Sequence, residues 1–276
     1  MNAYTRHITE LIRSIPNERI RTLDPSTERI RVPTQAFSNF IINQKMGEWA
    51  EDVVKRGIES AAPEFTAIPY GRSEHLVAGE PGFKEYYINY ITELRSFGKR
   101  PDILVYRENP PSREAIEGKS AEELIPIAKQ ALAGIEVRSS QQSLVGTRDA
   151  SDLSFTPKIE DIANVFRWIK HHGVRHYYFQ LIFGAVYAIS FERILELLVV
   201  GPRSGGYRID QEQRNQFKST IYIPLSLGIE LSTAFEDPVI SAFRNQLSTG
   251  RMLFGVSFSG GRVALDPRKL KSLLSN

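Results

Sequence analysis

Two short apolar runs in this chain carry acid where a buried strand has no use for it. Ile103, Leu104, Val105 and Tyr106 form a β-type run, and Asp102 stands at its mouth behind Pro101, which holds the chain extended. In the second run Ile135 and Val137 flank Glu136, so strand alternation points Glu136 and Arg138 to one face. If the two strands pair, two carboxylates meet at a sheet edge. Folding alone does not ask for that, whereas a divalent cation held by oxygen does. The chemistry served by such a pair is phosphodiester hydrolysis, in which a metal ion generates a nucleophilic water and neutralises phosphate charge. Asp102 and Glu136 would supply the anionic ligands, with a backbone carbonyl near residue 137 completing the shell. The reaction also needs a cation near the water or the phosphate. Arg138 is one candidate. Lys158 is the other, because it opens a helix, where the dipole already favours an anion.

Composition limits what else the chain can do. Its 276 residues, 41% hydrophobic and 24% charged, suit a single domain with a substantial core. There is no cysteine, so disulfides and thiolate metal sites are excluded, and five histidines without ligand spacing disfavour zinc. Any resident metal should be a hard ion on oxygen ligands. The net charge of +3 permits a polyanionic partner without demanding one. No apolar run approaches the ~20 residues of a membrane span, and the first residues lack the apolar stretch of a signal peptide. A soluble, cytoplasmic protein with no membrane partner is expected.

The elements that must position these residues are partly legible. An apolar stripe predicts a helix over 37–60, and a second helix, Tyr-rich on one face, over 83–96. A crossover helix at 121–133 should join strand 102–107 to strand 134–140. Thr156 as N-cap and Pro157 at the first position predict a helix over 159–172, with Ile159, Ile162, Phe166 and Ile169 on one stripe. Strands are expected at 176–183 and 186–190, then a helix near 191–199. The last third yields strands near 220–227 and 252–258 and a final helix at 267–274. Helices between short apolar strands indicate an α/β fold with a mixed sheet.

The residues resemble the PD-(D/E)XK nucleases. Pro101-Asp102 matches the first half of that motif, and Glu136-Val137-Arg138 the second, with Arg in place of the usual Lys. The 33 residues between the acids accommodate the crossover helix. Upstream, Gly47-Glu48-Trp49-Ala50-Glu51 resembles the Gly-x-x-Ala-Glu helix that brings one more acid, here Glu51, to the metal. A longer run is more specific: Glu136-Val137-Arg138-Ser139-Ser140, then Leu153-Ser154-Phe155-Thr156-Pro157-Lys158-Ile159-Glu160-Asp161, continuing through His176-Tyr177-Tyr178-Phe179-Gln180. It is similar to type II restriction endonucleases of the AccI kind, over roughly residues 47–195. The resemblance implies a PD-(D/E)XK core with a central mixed sheet flanked by helices. It also implies Mg2+-dependent cleavage of double-stranded DNA at a short, near-palindromic site by a homodimer, leaving a 5′-phosphate. Residues 1–276 would form one nuclease domain, with the catalytic core at about 37–200 and a C-terminal extension at about 201–276. Of the two cations Lys158 is preferred, since an always-protonated guanidinium clamps phosphate but takes no proton from water.

Ordinary readings stand beside these. Asp after Pro is a common turn residue, and Glu136 would also suit an edge strand facing water. Glu51 would suit a solvated helix face, and Glu160 and Asp161 are what a helix start wants for its own stability. The polar stretch from Ser139 to Asp152 reads as a loop leaving the active strand. Within it Ser139, Ser140, Gln142 and Arg148 are candidate DNA contacts, since Gln and Arg reach base edges in the major groove. Arg203 to Arg208 reads as a solvated turn, His171-His172 as a helix C-terminus, and Tyr177-Tyr178-Phe179 as a buried strand. The absence of a Gly-x-Ser-x-Gly elbow, a phosphate loop and a dinucleotide turn excludes serine hydrolases, nucleotide motors and Rossmann oxidoreductases. No small-molecule cofactor is expected. A shape-specific repair or junction-resolving nuclease, and an inactive DNA-binding module, are the alternatives on the same fold.

Overall fold

The computed structural model describes residues 1–20, 30–71, 76–143, 153–211 and 219–275. Its elements are α1 (Ala3–Ser14), α2 (Ser38–Ala61), β1 (Thr66–Pro69), α3 (Phe83–Phe97), β2 (Ile103–Tyr106), α4 (Ala121–Ala128), β3 (Ala133–Ser143), β4 (Ser154–Phe155), α5 (Ile159–His172), β5 (Arg175–Phe183) and β6 (Ala185–Ser190). There follow α6 (Phe191–Val200), α7 (Pro202–Gly205), β7 (Arg208–Gln211), β8 (Ser219–Pro224), β9 (Ile229–Glu230), β10 (Ser232–Glu236), β11 (Val239–Gln246), β12 (Met252–Ser259), β13 (Arg262–Leu265) and α8 (Pro267–Ser275).

Six strands form the central sheet in the order β1-β2-β3-β5-β6-β9. β3 and β5 run parallel and the other pairs antiparallel, so the sheet is mixed. Strand alternation feeds two cores. Leu104 and Tyr106 pack on the side of α4, α5 and α6, with Leu124, Trp168 and Leu195. Ile103 and Val105 pack on the other side with Val53, Val54 and Ile58 of α2 and Leu270 of α8. Helices therefore cover both faces, as the apolar runs of β2 and β5 require. Glu136 belongs to β3, an interior strand, and not to a sheet edge.

Several features differ from the sequence reading, each for a local reason. The crossover helix α4 stops at Ala128, because Leu132 must turn back and donate its N–H to Val105 O at 2.7 Å. α5 starts at Ile159 with Lys158 as N-cap; Pro157 lies before the helix because its carbonyl accepts the Ile221 N–H of β8 at 3.0 Å. β3 continues to Ser143, so Ser139, Ser140 and Gln142 are strand residues and not loop. Helix α1 was not anticipated; Asn2 caps it by accepting the Thr5 N–H at 2.9 Å, and Ile8 anchors it in the α5–α6 core. The C-terminal region contributes to the centre, since β9 pairs with β6 and Leu270 and Leu274 of α8 are buried against α2. No described helix is long and apolar enough to cross a membrane.

Candidate active site

β2 and β3 pair antiparallel with Ile103 opposite Ile135, which brings Asp102, one residue before Ile103, and Glu136, one residue after Ile135, to the same end of the sheet. Asp102 is fixed there by its own backbone. Its N–H donates to Ile135 O at 2.9 Å, and its carbonyl accepts the N–H groups of Tyr70 (2.8 Å) and Gly71 (3.1 Å). Its side chain then reaches across, and Oδ2 accepts the Val137 N–H at 2.7 Å. Glu136 points to the α5 face and is only 2% exposed. Its Oε1 is contacted by two cations, Lys99 Nζ at 2.5 Å and Arg138 at 2.9 Å. Its Oε2 is buried with no hydrogen-bond partner among the described residues.

Asp161, in the first turn of α5, closes this cluster: its Oδ2 lies 2.8 Å from Arg138 and 3.0 Å from Lys99. Glu136, Arg138, Lys99 and Asp161 thus form a quartet of two acids and two cations. Burial opposes the charge on Asp161, but Lys99 and Arg138 outweigh it and hold its carboxyl below the usual range. Burial likewise opposes the Lys99 charge, and Asp161 and Glu136 outweigh it and raise the ammonium's pKa.

The quartet balances itself, and two further acids beside it remain raised. Burial, then Glu136 and Glu51, push the Asp102 carboxyl well above its ordinary value. Glu51 on α2 is pushed up to about 7 by burial, Glu136 and Glu48. Three carboxylates from α2, the β2 mouth and β3 therefore feel one another's charge. Desolvated like charges are costly unless something positive joins them.

The structure thus brings Asp102, Glu136, Arg138 and Glu51 into one neighbourhood. Lys158 sits at its margin: its ammonium donates to Thr220 Oγ1 at 2.8 Å, and its charge helps to lower Asp161. Ser139 and Ser140 are half-buried on β3 beyond Arg138. The Gln142 side chain and Arg148 lie outside the described residues. Two site residues escaped the sequence reading, Lys99 and Asp161. Asp161 looked like helix-start chemistry. Lys99 stands three residues before Asp102, but only the packing of α3 on α5 shows where it points. Gly98 caps α3 with φ 90°, and a Cβ there would stand 2.3 Å from Asn164 O and Trp168 N, so the two helices touch backbone to backbone. Lys99 N–H then donates to Asn164 O at 3.0 Å, which aims its side chain along the N-terminal turn of α5 toward Glu136.

A cavity of about 220 Å³ adjoins these groups, with Gly71, Tyr86, Tyr90, Glu93, Lys99 and Asp102 among its walls. The trio of metal-capable side chains with all ligand atoms within 4.8 Å of one another, among the described residues, is elsewhere: His7, Glu192 and Glu196. It joins α1 to α6 at the surface, where His7 and Arg193 already pair with its carboxylates.

An α/β protein with acids from two paired central strands and a helix, interlocked with lysine and arginine, belongs to the class that places charged chemistry at the end of a sheet. Residues 1–150 and 142–276 match the AccI restriction endonuclease family model, and the chain belongs to that family. No curated protein and no solved structure matches the chain.

Proposed function

We propose that this protein is a type II restriction endonuclease with a PD-(D/E)XK core spanning residues 1–276. It would hydrolyse duplex DNA at a short palindromic site, in Mg2+, as a homodimer whose two-fold axis matches that of the site. The observation that carries the reading is the approach of Asp102 and Glu136 on paired strands, with Glu51 raised by burial and Glu136 and in turn helping to raise Asp102, in a chain of the AccI family.

The acids suit a hard divalent ion. Glu136 Oε2 is buried without a partner among the described residues, and Asp102 and Glu51 are both raised by burial and by neighbouring carboxylates. Asp102 and Glu136 would hold the ion, with Glu51 as a further oxygen ligand. When bound, Mg2+ neutralises phosphate charge and makes water a better nucleophile. The rest falls to the chain. The Val137 N–H fixes one Asp102 oxygen and leaves the other free to turn outward. Of the two cations that the sequence offers, the preferred Lys158 lies at the start of α5 and Arg138 lies on β3 beside Glu136. Ser139, Ser140, Gln142 and Arg148 follow along or beyond the same strand and are proposed to face the DNA.

Digestion of a long duplex of known sequence, with Mg2+ and with EDTA, followed by sequencing of the ends, tests this. Discrete Mg2+-dependent fragments sharing one short palindrome are expected. A smear would favour a shape-specific nuclease, and intact DNA under binding conditions an inactive module.

A further inference from the structure

The strand of this chain carries Arg138 beside its acids, and the structure brings a lysine to the same acids from another element. Among the described residues, Lys99 is the lysine that contacts Glu136, with Nζ 2.5 Å from Oε1. It arrives from the end of α3, outside β3. Its backbone is pinned by the Gly98 cap and by the bond to Asn164 O, and its ammonium by Asp161 at 3.0 Å. Its side chain keeps 16% exposure, and it shares the walls of the 220 Å³ cavity with Asp102. Arg138 and Lys158 are not among the described walls of that cavity. Arg138 is turned into the quartet by Glu136 and Asp161, and Lys158 is engaged by Thr220.

We propose that Lys99 is the catalytic cation: its ammonium contacts the scissile phosphate and the attacking water and stabilises the charge that develops on the pentavalent phosphorus. This rests on the nuclease reading above. In the step itself the water oxygen bonds to phosphorus and the bond from phosphorus to the 3′-oxygen breaks. The 3′-oxygen leaves with the electron pair and takes a proton from solvent, to which the attacking water gives up its own. Lys99 keeps its protons throughout and acts as a compact point charge. Arg138 and Asp161 become positioning residues that hold Lys99 and Glu136 apart at working distance.

Because the chain has no cysteine, Lys99→Cys creates a single reactive thiol. The variant is compared with the native protein in single-turnover cleavage in Mg2+ and in DNA binding in Ca2+. It is then treated with 2-bromoethylamine, which rebuilds a lysine-like ammonium on sulfur, or with iodoacetamide, which does not. The expected result is a loss of about 10²–10³-fold in cleavage rate, with unchanged DNA binding and recovery by aminoethylation alone. Lys158→Ala should lose less of the cleavage rate than Lys99→Cys. A Lys99→Cys protein that cuts at near-native rate, or one that melts normally and gains nothing from aminoethylation, overturns the proposal. So does a larger loss for Lys158→Ala than for Lys99→Cys. Should Lys99→Cys fail to fold, Lys99→Met with Asp161→Asn keeps the quartet in charge balance. That double variant should fold and remain inactive, and cleavage by it would overturn the role. A native protein that cuts no DNA removes the nuclease reading itself, and this role with it.

Discussion

Asp102 Oδ2 accepts the Val137 N–H at 2.7 Å, so the loop before β2 is bolted to β3 through the side chain that also faces the other acids. The same carboxylate therefore has a structural half and a functional half, and they respond differently to substitution. Asparagine retains the acceptor and removes a charge that burial, Glu136 and Glu51 all disfavour. Asp102→Asn is expected to melt at or above the native temperature while losing Mg2+-dependent cleavage. Asp102→Ala, which strands the Val137 N–H, is expected to lose about 1–3 kcal/mol in urea unfolding. Native-rate cutting by Asp102→Asn would remove the carboxylate from the site.

Gly98 tests how Lys99 is delivered. With φ 90° and only backbone atoms of α5 within 2.3 Å of a prospective Cβ, no side-chain rotation makes room. Gly98→Ala combines left-handed strain with overpacking and is expected to cost about 3 kcal/mol or more. Cleavage should fall with it, since α3 must withdraw from Asn164. Urea unfolding that shows a loss of less than about 1 kcal/mol would mean that α3 and α5 are not seated this closely.

The contrast between Asp102 and Lys99 also shows what a sequence can reveal. Asp102 and Glu136 were legible because strand periodicity fixes the face of each residue, and pairing of two neighbouring strands does the rest. α5 was legible because four apolar residues on one stripe and Gly173 at its end leave little choice of helix. Lys99 was not legible. Its contact with Glu136 spans 37 positions and depends on a helix-to-helix approach that only the glycine hints at. Asp161 stands in the first turn of α5 as read, but its contacts with Lys99 and Arg138 were hidden for a related reason, since an acid there satisfies the dipole whether or not it does anything else. β11 escaped because most of its residues are exposed, so no buried face imposes alternation. Its partner β12, with Leu253 buried, was found.

His172 and His176 make the fold sensitive to acid. His172 stacks on Trp168 at 4.4 Å, and His176 is enclosed by Trp168, Tyr178 and Phe191. Burial pushes each down to about 4. Both stay neutral in the fold while the unfolded chain protonates them near pH ~6.5, so the unfolded state binds more protons between those values. Their contribution is complete above that window and is lost as pH falls toward 4, at up to about 1.4 kcal/mol per pH unit for each. The raised acids Glu51 and Asp102 work in the opposite direction over part of that range, so the comparison must be with a variant. The stability of the native protein relative to His176→Phe should decline steadily from pH 6.5 to 4.5 in urea titrations. A pH-independent difference would show that His176 takes up its proton in the fold over the same pH range as in the unfolded chain.

Mg2+ should stabilise the protein by relieving the crowding of Glu51, Asp102 and Glu136, and pH controls how much. The Glu51 carboxyl, raised to about 7, is largely protonated at pH 6 and largely ionised at pH 8. A cation must displace that proton at the lower pH, so binding is weaker there. Without metal the sign is reversed: the folded state holds the Glu51 proton more tightly than the unfolded chain, so this group's contribution to stability falls as pH rises toward 7. A ligand at about 100 times its Kd adds about 2.7 kcal/mol. Thermal melts should therefore show a Mg2+-induced rise that is larger at pH 8 than at pH 6. Glu51→Gln should abolish that pH dependence while keeping part of the rise, and Asp102→Asn should remove most of the rise at both values. Equal shifts in all three proteins would place the ion at some other group and leave the convergence of these acids without a metal to explain it.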